Sequence, residues 1–321
     1  MKRRRNTLAQ PDMGTVYGAV EPVLGEMERF RRGHLLFLLV IVPLISVPAG
    51  IFSGMYALGL FKSAMSGYVA CAVCGLLVAT TIYRIFDRDY RRRCKRRFNR
   101  KFAKLMDMRY EPMGTFNIGA LHPHYILPAF ARGLTEDSLT FVHNGRKIEM
   151  QEVIFTPSVA MDVHMFNPKT FAGKRGLIIK IPSRRTFDVH TVVVPKRFVA
   201  SDRNRARFMG LRNYERAPFG NRRFSEKYYV MSMASDEAHL VFDPAFIERV
   251  LAFEKAVGAR SLSFSFLDRQ ILVYADHAHD FLEAGHLLEP ISFAHADKII
   301  SELQALTRLI DTLELNQFVG V

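Results

Sequence analysis

The sequence predicts an α+β protein carried on a two-helix transmembrane hairpin. Three observations point there. Two uncharged apolar runs lie near the start of the chain. A basic stretch with an apolar residue at every fourth position follows them. After that, the apolar period changes from about 3.6 to 2, with turn residues at hairpin spacing.

Residues 1–34 read as a basic cytoplasmic tail and a lead-in helix. The KRRR run at 2–5 is generic, and Val16, Val20, Val23, Leu24, Met27 and Phe30 recur at helical spacing. Residues 35–86 form the hairpin. Residues 35–52 read LLFLLVIVPLISVPAGIF and residues 68–83 read YVACAVCGLLVATTIY, with Lys62 the one charge between Leu35 and Tyr83. A spanning helix needs about 20 mostly apolar residues, and each run reaches that with its flanks. Two such runs back to back, with arginines on both sides, fit a membrane hairpin better than a buried pair or a cleaved leader. Arg29, Arg31 and Arg32 precede the first run and eight basic residues follow the second by Arg97, so the positive-inside rule places both termini in the cytoplasm. Gly50 and Gly54 are spaced for close packing of the two spans, with Ala70, Cys74 and Val78 as the small face expected opposite.

Residues 87–109 read as a basic amphipathic helix, about 35 Å long at 1.5 Å per residue. Phe86, Tyr90, Cys94, Phe98 and Phe102 form its apolar stripe, and from Arg84 to Arg109 twelve basic residues stand against Asp87, Asp89 and Asp107. The stripe needs a partner, either the soluble domain or the lead-in helix near residues 26–30. Three readings of the charge compete: a solvated stalk that fixes topology, a clamp on anionic lipid, and a nucleic-acid surface. The clamp would use Arg91, Arg92, Arg93, Lys95, Arg96, Arg97, Arg100 and Lys101. Nucleic acid is the least favoured, because spacing of four aims the aromatics at a core. The net charge of +14 and pI of about 9.9 are first explained by this membrane-adjacent excess.

Residues 110–134, with four prolines and glycines before Pro128, read as a linker. Residues 135–321 form the cytoplasmic α+β domain of antiparallel hairpins. A hairpin turns at Asn144-Gly145, which accepts the positive φ of a type I′ turn. Residues 176–181 (GLIIKI) and 190–194 (HTVVV) read as two strands bounded by proline, and 227–233 as another. Asp243 and Pro244 open a helix to Val257. Residues 261–266 and 271–274 form a second hairpin around Asp268-Arg269, and residues 296–315 an amphipathic C-terminal helix. A small barrel of pleckstrin-homology type would suit this order of elements, by analogy alone.

Residues 224–254, FSEKYYVMSMASDEAHLVFDPAFIERVLAFE, carry a family resemblance. An aromatic strand, an Asp with Ala two residues on and a proline step into a helix resemble the bacterial domain of unknown function 3137 family. Phe171-Ala172-Gly173 before GLIIKI and the stretch SFSFLDRQILVY at 263–274 are similar to other parts of it. Phe242 stands where that family's pattern has Leu. The resemblance implies an inner-membrane protein with two spans and a cytoplasmic domain. It supplies no catalytic residues.

Chemistry-bearing groups are sparse. Asp276, His277, His279 and Asp280 cluster metal-capable side chains after a strand, and His122 and His124 form a second pair; histidines in a loop are more often simply solvated. Arg203, Arg205, Arg207 and Arg212 in a long loop would hold phosphate, or be an ordinary exposed face. Cys71 and Cys74 lie in the second span and Cys94 in the basic helix, where apolar surroundings disfavour a thiolate. No glycine-rich βα turn supports a nucleotide or cofactor fold, and no nucleophile sits in an elbow motif. The reading that fits is a non-enzymatic membrane-anchored module contacting anionic phospholipid and binding a protein partner, a second copy or a lipid headgroup, without a cofactor. The alternative is a membrane-bound hydrolase or phosphotransfer enzyme using the arginine loop and the His/Asp cluster.

Overall fold

A computed structural model of the protein describes residues 13–128, 130, 132–156, 174–199, 211, 213–217, 221–234, 244–277 and 285–315. They divide into a helical unit (residues 12–105 with 282–296) and a sheet unit (residues 106–281 with 297–321).

In the helical unit the lead-in helix and first span are one helix, α1 (Met13–Phe61), and the second span and basic stretch are another, α2 (Ala64–Leu105). Both are long and apolar enough to cross a membrane. Lys62 ends α1 in the left-handed region (φ 51°), its N–H donating to the Leu58 carbonyl at 2.9 Å. The two helices pack through glycine. A Cβ on Gly50 would lie 2.8 Å from the Cys71 carbonyl oxygen, and one on Gly54 2.9 Å from that of Gly67. The small face on α2 is therefore Gly67, Cys71 and Gly75, one residue out of phase with the Ala70–Cys74–Val78 face expected from the sequence. Among the described residues, all but seven of the exposed large apolar side chains lie between Leu36 and Ile85. An exposed apolar surface all round a helix pair suits lipid and not water.

Beyond that belt the expected stripe is buried: Tyr90, Cys94, Phe98 and Phe102 on α2, with Val20, Leu24 and Met27 buried on α1. The partner is α1. Phe30 stacks on Tyr90 (5.9 Å between ring centroids), Arg97 lies 4.2 Å over the Phe30 ring, and Lys101 pairs with Glu26.

The sheet unit holds β1 (Arg109–Glu111), a 3-10 turn (Ile118–His124), β2 (Arg132–His143), β3 (Arg146–Thr156), β4 (Lys174–Pro195), α3 (Lys196–Val199), β5 (Glu215–Arg216), α4 (Arg222–Lys227), β6 (Tyr228–Ser232), α5 (Pro244–Ala256), β7 (Ala259–His277) and most of α6 (Phe293–Leu315). All pairings are antiparallel, in the order β1-β2-β3-β4-β6-β5, with β7 on the other side of β4. The α+β class is as expected. No pairing among the described strands closes the sheet into a barrel. Residues 110–134, read as a linker, include part of β1, the 3-10 turn and the start of β2.

Two readings of the strands need correction. GLIIKI and HTVVV are halves of one strand, β4, in which Pro182 and Phe187 mark register breaks. The second hairpin is no hairpin. Residues 271–277 pair with 175–181 and residues 264–266 with 191–193, so both arms of β7 pair with β4 and not with each other. The ribbon of β4 and β7 is bent back on itself at Asp268 (φ 52°). Arg260 reaches Asp276 at 2.6 Å, although sixteen residues of straight strand would span roughly 50 Å. Inside the bend, Ile178, Leu272 and Tyr274 of one arm share a core with Val192 and Val194 of the other. Outside it, Phe246 of α5 packs edge-on against Phe264 and Phe266.

Candidate functional site

Alternation along β7 decides what enters the bend. Ser265 pairs with Val192, so Ser261, Ser263 and Ser265 share the inward face of that arm; Leu272, Tyr274 and Asp276 share the inward face of the other. All six are buried, none more than 5 % exposed. A row of serines therefore lies where a core would normally be apolar, and polar contacts gather at its two ends.

At one end Asp276 joins the arms. Its Oδ2 accepts from Arg197 Nη2 at 2.9 Å and its Oδ1 from Arg260 Nη2 at 2.6 Å. Arg197 Nη2 also donates to Ser261 Oγ (2.6 Å), and Arg260 Nη2 to the His277 carbonyl (3.1 Å). The carboxylate is buried, while both arginine side chains are nearly half exposed (47 % and 46 %). Two guanidinium groups thus share one carboxylate. Two residues further along each arm lie Ser263 and Tyr274, whose buried hydroxyls have no hydrogen-bond partner among the described residues. Gly176, paired with Asp276, leaves room for the Tyr274 ring: a Cβ there would lie 2.2 Å from it.

At the other end Ser265 Oγ lies 2.9 Å from His190 Nε2 and 2.9 Å from His124 Nδ1, and Tyr214 OH lies 2.7 Å from His190 Nδ1. A serine has one proton to give, so one histidine donates to Ser265 and the other accepts from it. The four groups form a single directed chain, from Tyr214 to His124 or the reverse. Burial holds both histidines below the ordinary imidazole range, His190 at about 4, which keeps them neutral. Ser265 has no solvent exposure, so this chain orders the bend and presents no nucleophile to a substrate.

The residues expected from sequence fall in three places. Asp276 and His277 are buried, but both Asp276 oxygens are taken by arginine; His279 and Asp280 lie outside the described residues, as do Arg203, Arg205, Arg207 and Arg212. His122 stacks on Phe130 (5.4 Å), and His124 joins the serine instead of pairing with His122. On α2, Arg92, Arg93, Arg96, Arg97 and Arg100 are exposed. Lys95 is buried, Arg91 pairs with Asp87 at 3.1 Å and Lys101 with Glu26. Arg84, Arg88 and Lys104 extend the exposed set, so Arg84, Arg88, Arg92, Arg96, Arg100 and Lys104 make an unbroken exposed series at every fourth residue. Sequence reasoning missed Arg197, Arg260, His190, Tyr214 and Ser265. The alternation SLSFSF was visible, but nothing in it says that the serine face is covered.

Comparison with known proteins gives a family match over part of the chain. No curated protein matches the chain. Among solved structures, the crystal structure of the mycobacterial trehalose monomycolate transport factor A, TtfA, aligns over 68 % of this chain and 92 % of its own, at 12 % identity and a TM-score of 0.34. Residues 174–315 match the family model described as Protein of unknown function (DUF3137), the family that residues 224–254 resemble.

Proposed function

We propose that this protein is a membrane-anchored module, held by the α1/α2 hairpin with both termini in the cytoplasm of a bacterial inner membrane. Its basic helix touches anionic lipid, and its sheet domain, residues 135–321, binds a partner. One observation carries the reading. The apolar surface between Leu36 and Ile85 is exposed on both helices, and α2 continues without a break into the exposed arginine series.

That continuity sharpens the lipid contact. At 1.5 Å per residue, Arg88 and Arg92 lie about 8–14 Å beyond Tyr83 along the helix, and Arg100 and Lys104 about 25–32 Å beyond it. Screening reduces attraction to the membrane within a Debye length of about 8 Å at physiological salt. The first two turns of basic residues are therefore the lipid contact, and the far turns are a solvated stalk. Juxtamembrane lysine and arginine are each worth about 1 kcal/mol toward an anionic leaflet.

The test is the lipid retained by the full chain when it is extracted from vesicles of mixed phosphatidylglycerol and phosphatidylcholine. Enrichment of the anionic lipid should fall with salt and fall again in an R88Q/R92Q variant. Equal retention of both lipids at low salt would end the lipid part of the proposal. Labelling of a cysteine introduced at Lys62, in sealed vesicles, tests the orientation separately.

A further inference from the structure

We propose that Arg96, Arg100 and Lys104, in the far turns of α2, form a docking surface for an acidic helix of a partner protein. The surface goes beyond the lipid contact and does not rest on it. At 1.5 Å per residue these three residues stand about 20–32 Å beyond Tyr83, where a Debye length of about 8 Å leaves little attraction to a membrane.

The first argument is charge. Between Tyr90 and Leu105, α2 carries nine basic residues and no acidic one. Several of these cations are already answered. Arg91 pairs with Asp87, Arg93 with Asp89 and Lys101 with Glu26, while Arg97 lies over the Phe30 ring and Lys95 is buried. Arg92 belongs to the turns nearest the membrane. Arg96, Arg100 and Lys104 are exposed, and none of them makes a hydrogen bond or ion pair among the described residues. Like charges four residues apart weaken a helix, and a solvated helix ordinarily sets glutamate at that spacing from lysine or arginine. Here Arg96 stands below Arg100, and Arg100 below Lys104. A row of carboxylates alongside would offset each of these repulsions.

The second argument is shape. At about 100° per residue, Arg93, Arg96, Arg97, Arg100 and Lys104 fall within an arc about 100° wide. That arc lies opposite the buried Phe98 and Phe102. Arg96, Arg100 and Lys104 follow one i±4 row, which climbs about 6 Å at each step. A second helix with a carboxylate at every fourth residue carries the same repeat. Rows of this kind interdigitate at a crossing angle of about −50°. Guanidinium groups meet carboxylates through paired N–H donors, which adds direction to the attraction.

The third argument concerns the other occupants. A second copy would set like charge against like on this face. Single-stranded nucleic acid is held by stacking as well as by charge, and the aromatic rings in this half of α2, Tyr90, Phe98 and Phe102, are buried. An acidic helix uses the charge and its spacing alone.

The experiment is fluorescence anisotropy, with the full chain in a neutral maltoside detergent. The probe is a labelled, alanine-based peptide of about 20 residues with glutamate at every fourth position. Saturable binding that falls with salt, and that R96Q/R100Q/K104Q weakens on the order of tenfold, supports the proposal. The three side chains are exposed and glutamine is a good helix former, so this variant folds as the native chain does. The same glutamates at irregular spacing should bind less tightly. R249Q/K255Q/R269Q removes equal charge from exposed positions of the sheet unit and should leave peptide affinity unchanged. The proposal is overturned by no saturable binding, by equal affinity for the irregular peptide, or by equal losses in the two triple variants. Tighter binding of a single-stranded oligothymidylate than of the peptide would overturn it in favour of nucleic acid. No anionic lipid is present, and R88Q/R92Q should leave the titration unaltered, so failure here and failure of the membrane reading are separate results.

Discussion

Arg31 of α1 and Asp87 of α2 grip the same residue from opposite sides. Arg31 Nη1 donates to the Leu287 carbonyl at 3.0 Å, and Asp87 Oδ1 accepts from the Leu287 N–H at 3.1 Å. Glu28 adds a third tie by accepting from the Ile291 N–H at 3.3 Å, and Tyr17 packs edge-on against Phe293. The segment around 285–293 thereby becomes part of the helical unit. A backbone stretch without its own secondary structure has had its polar groups satisfied by side chains.

Replacing Asp87 by alanine should loosen this clasp. It leaves the buried Leu287 N–H without its Asp87 acceptor, a cost of about 1–3 kcal/mol. Thermal unfolding of the full chain in detergent reads the loss. Chymotryptic cleavage within residues 282–296, which hold leucines and Phe293 but no lysine or arginine, should rise at the same time. Unchanged cleavage would mean that the segment is held elsewhere.

Acid should have a related effect through Glu28. Its hydrogen bonds from Arg31, opposed by partial burial, bring its carboxyl down to about 2. A carboxylate lowered on folding stabilises the fold above its ordinary range near 4.5, and that contribution is lost as pH falls toward 2. Glu28→Gln should reduce the loss of thermal stability between pH 5 and pH 3 that the native chain should show.

The hairpin depends on Gly50 and Gly54. Side chains at these positions would sit within 3 Å of backbone carbonyl oxygens on α2, which cannot move aside as a flexible side chain can. Gly54→Leu should push the helices apart. In a membrane no hydrophobic force between helices compensates, because lipid is as apolar as leucine. A disulfide formed between cysteines introduced at Ser46 and Gly75, close neighbours across the seam, should form readily in the native background and slowly with Gly54→Leu.

Much of this architecture was legible from residue order. The two uncharged apolar runs, the Asn144-Gly145 turn and the stripe from Tyr90 to Phe102 each reflect a local rule. Such rules need no knowledge of distant contacts. The bent ribbon was not legible for the opposite reason. Pro182 and Asp268-Arg269 are ordinary strand-ending signals; they became bends inside continuous strands because β4 and β7 pair on both sides of the break. The phase of the glycine seam was missed by one residue; Gly67 precedes the second apolar run and Gly75 lies inside it. The polar site was least visible. Arg197, Arg260 and Asp276 are far apart in sequence, and only the fold-back of β7 brings Ser261 under Asp276.

The last prediction concerns two buried groups whose effects on stability oppose each other. Glu302 on α6 is 3 % exposed, and its Oε2 has no partner among the described residues. Burial pushes its carboxyl up to about 7, against a small opposing effect of Lys298. The folded state therefore holds a proton that the unfolded chain releases near 4.5, and stability falls as pH rises from 4.5 to 7. His190 has the reverse sign. Burial lowers it to about 4, so the unfolded chain takes up a proton first, and stability falls as pH drops from 6.5 to 4. Over the shared window the two slopes oppose each other. Glu302→Gln removes one slope and leaves the other. The variant should gain relative to the native chain as pH rises, by about 3 kcal/mol between pH 4.5 and pH 8. Denaturant unfolding at four or five pH values measures it. A difference between the two proteins that stays constant with pH would mean that Glu302 is ionised in the folded state at every pH tested, and that some group pairs with its buried oxygen.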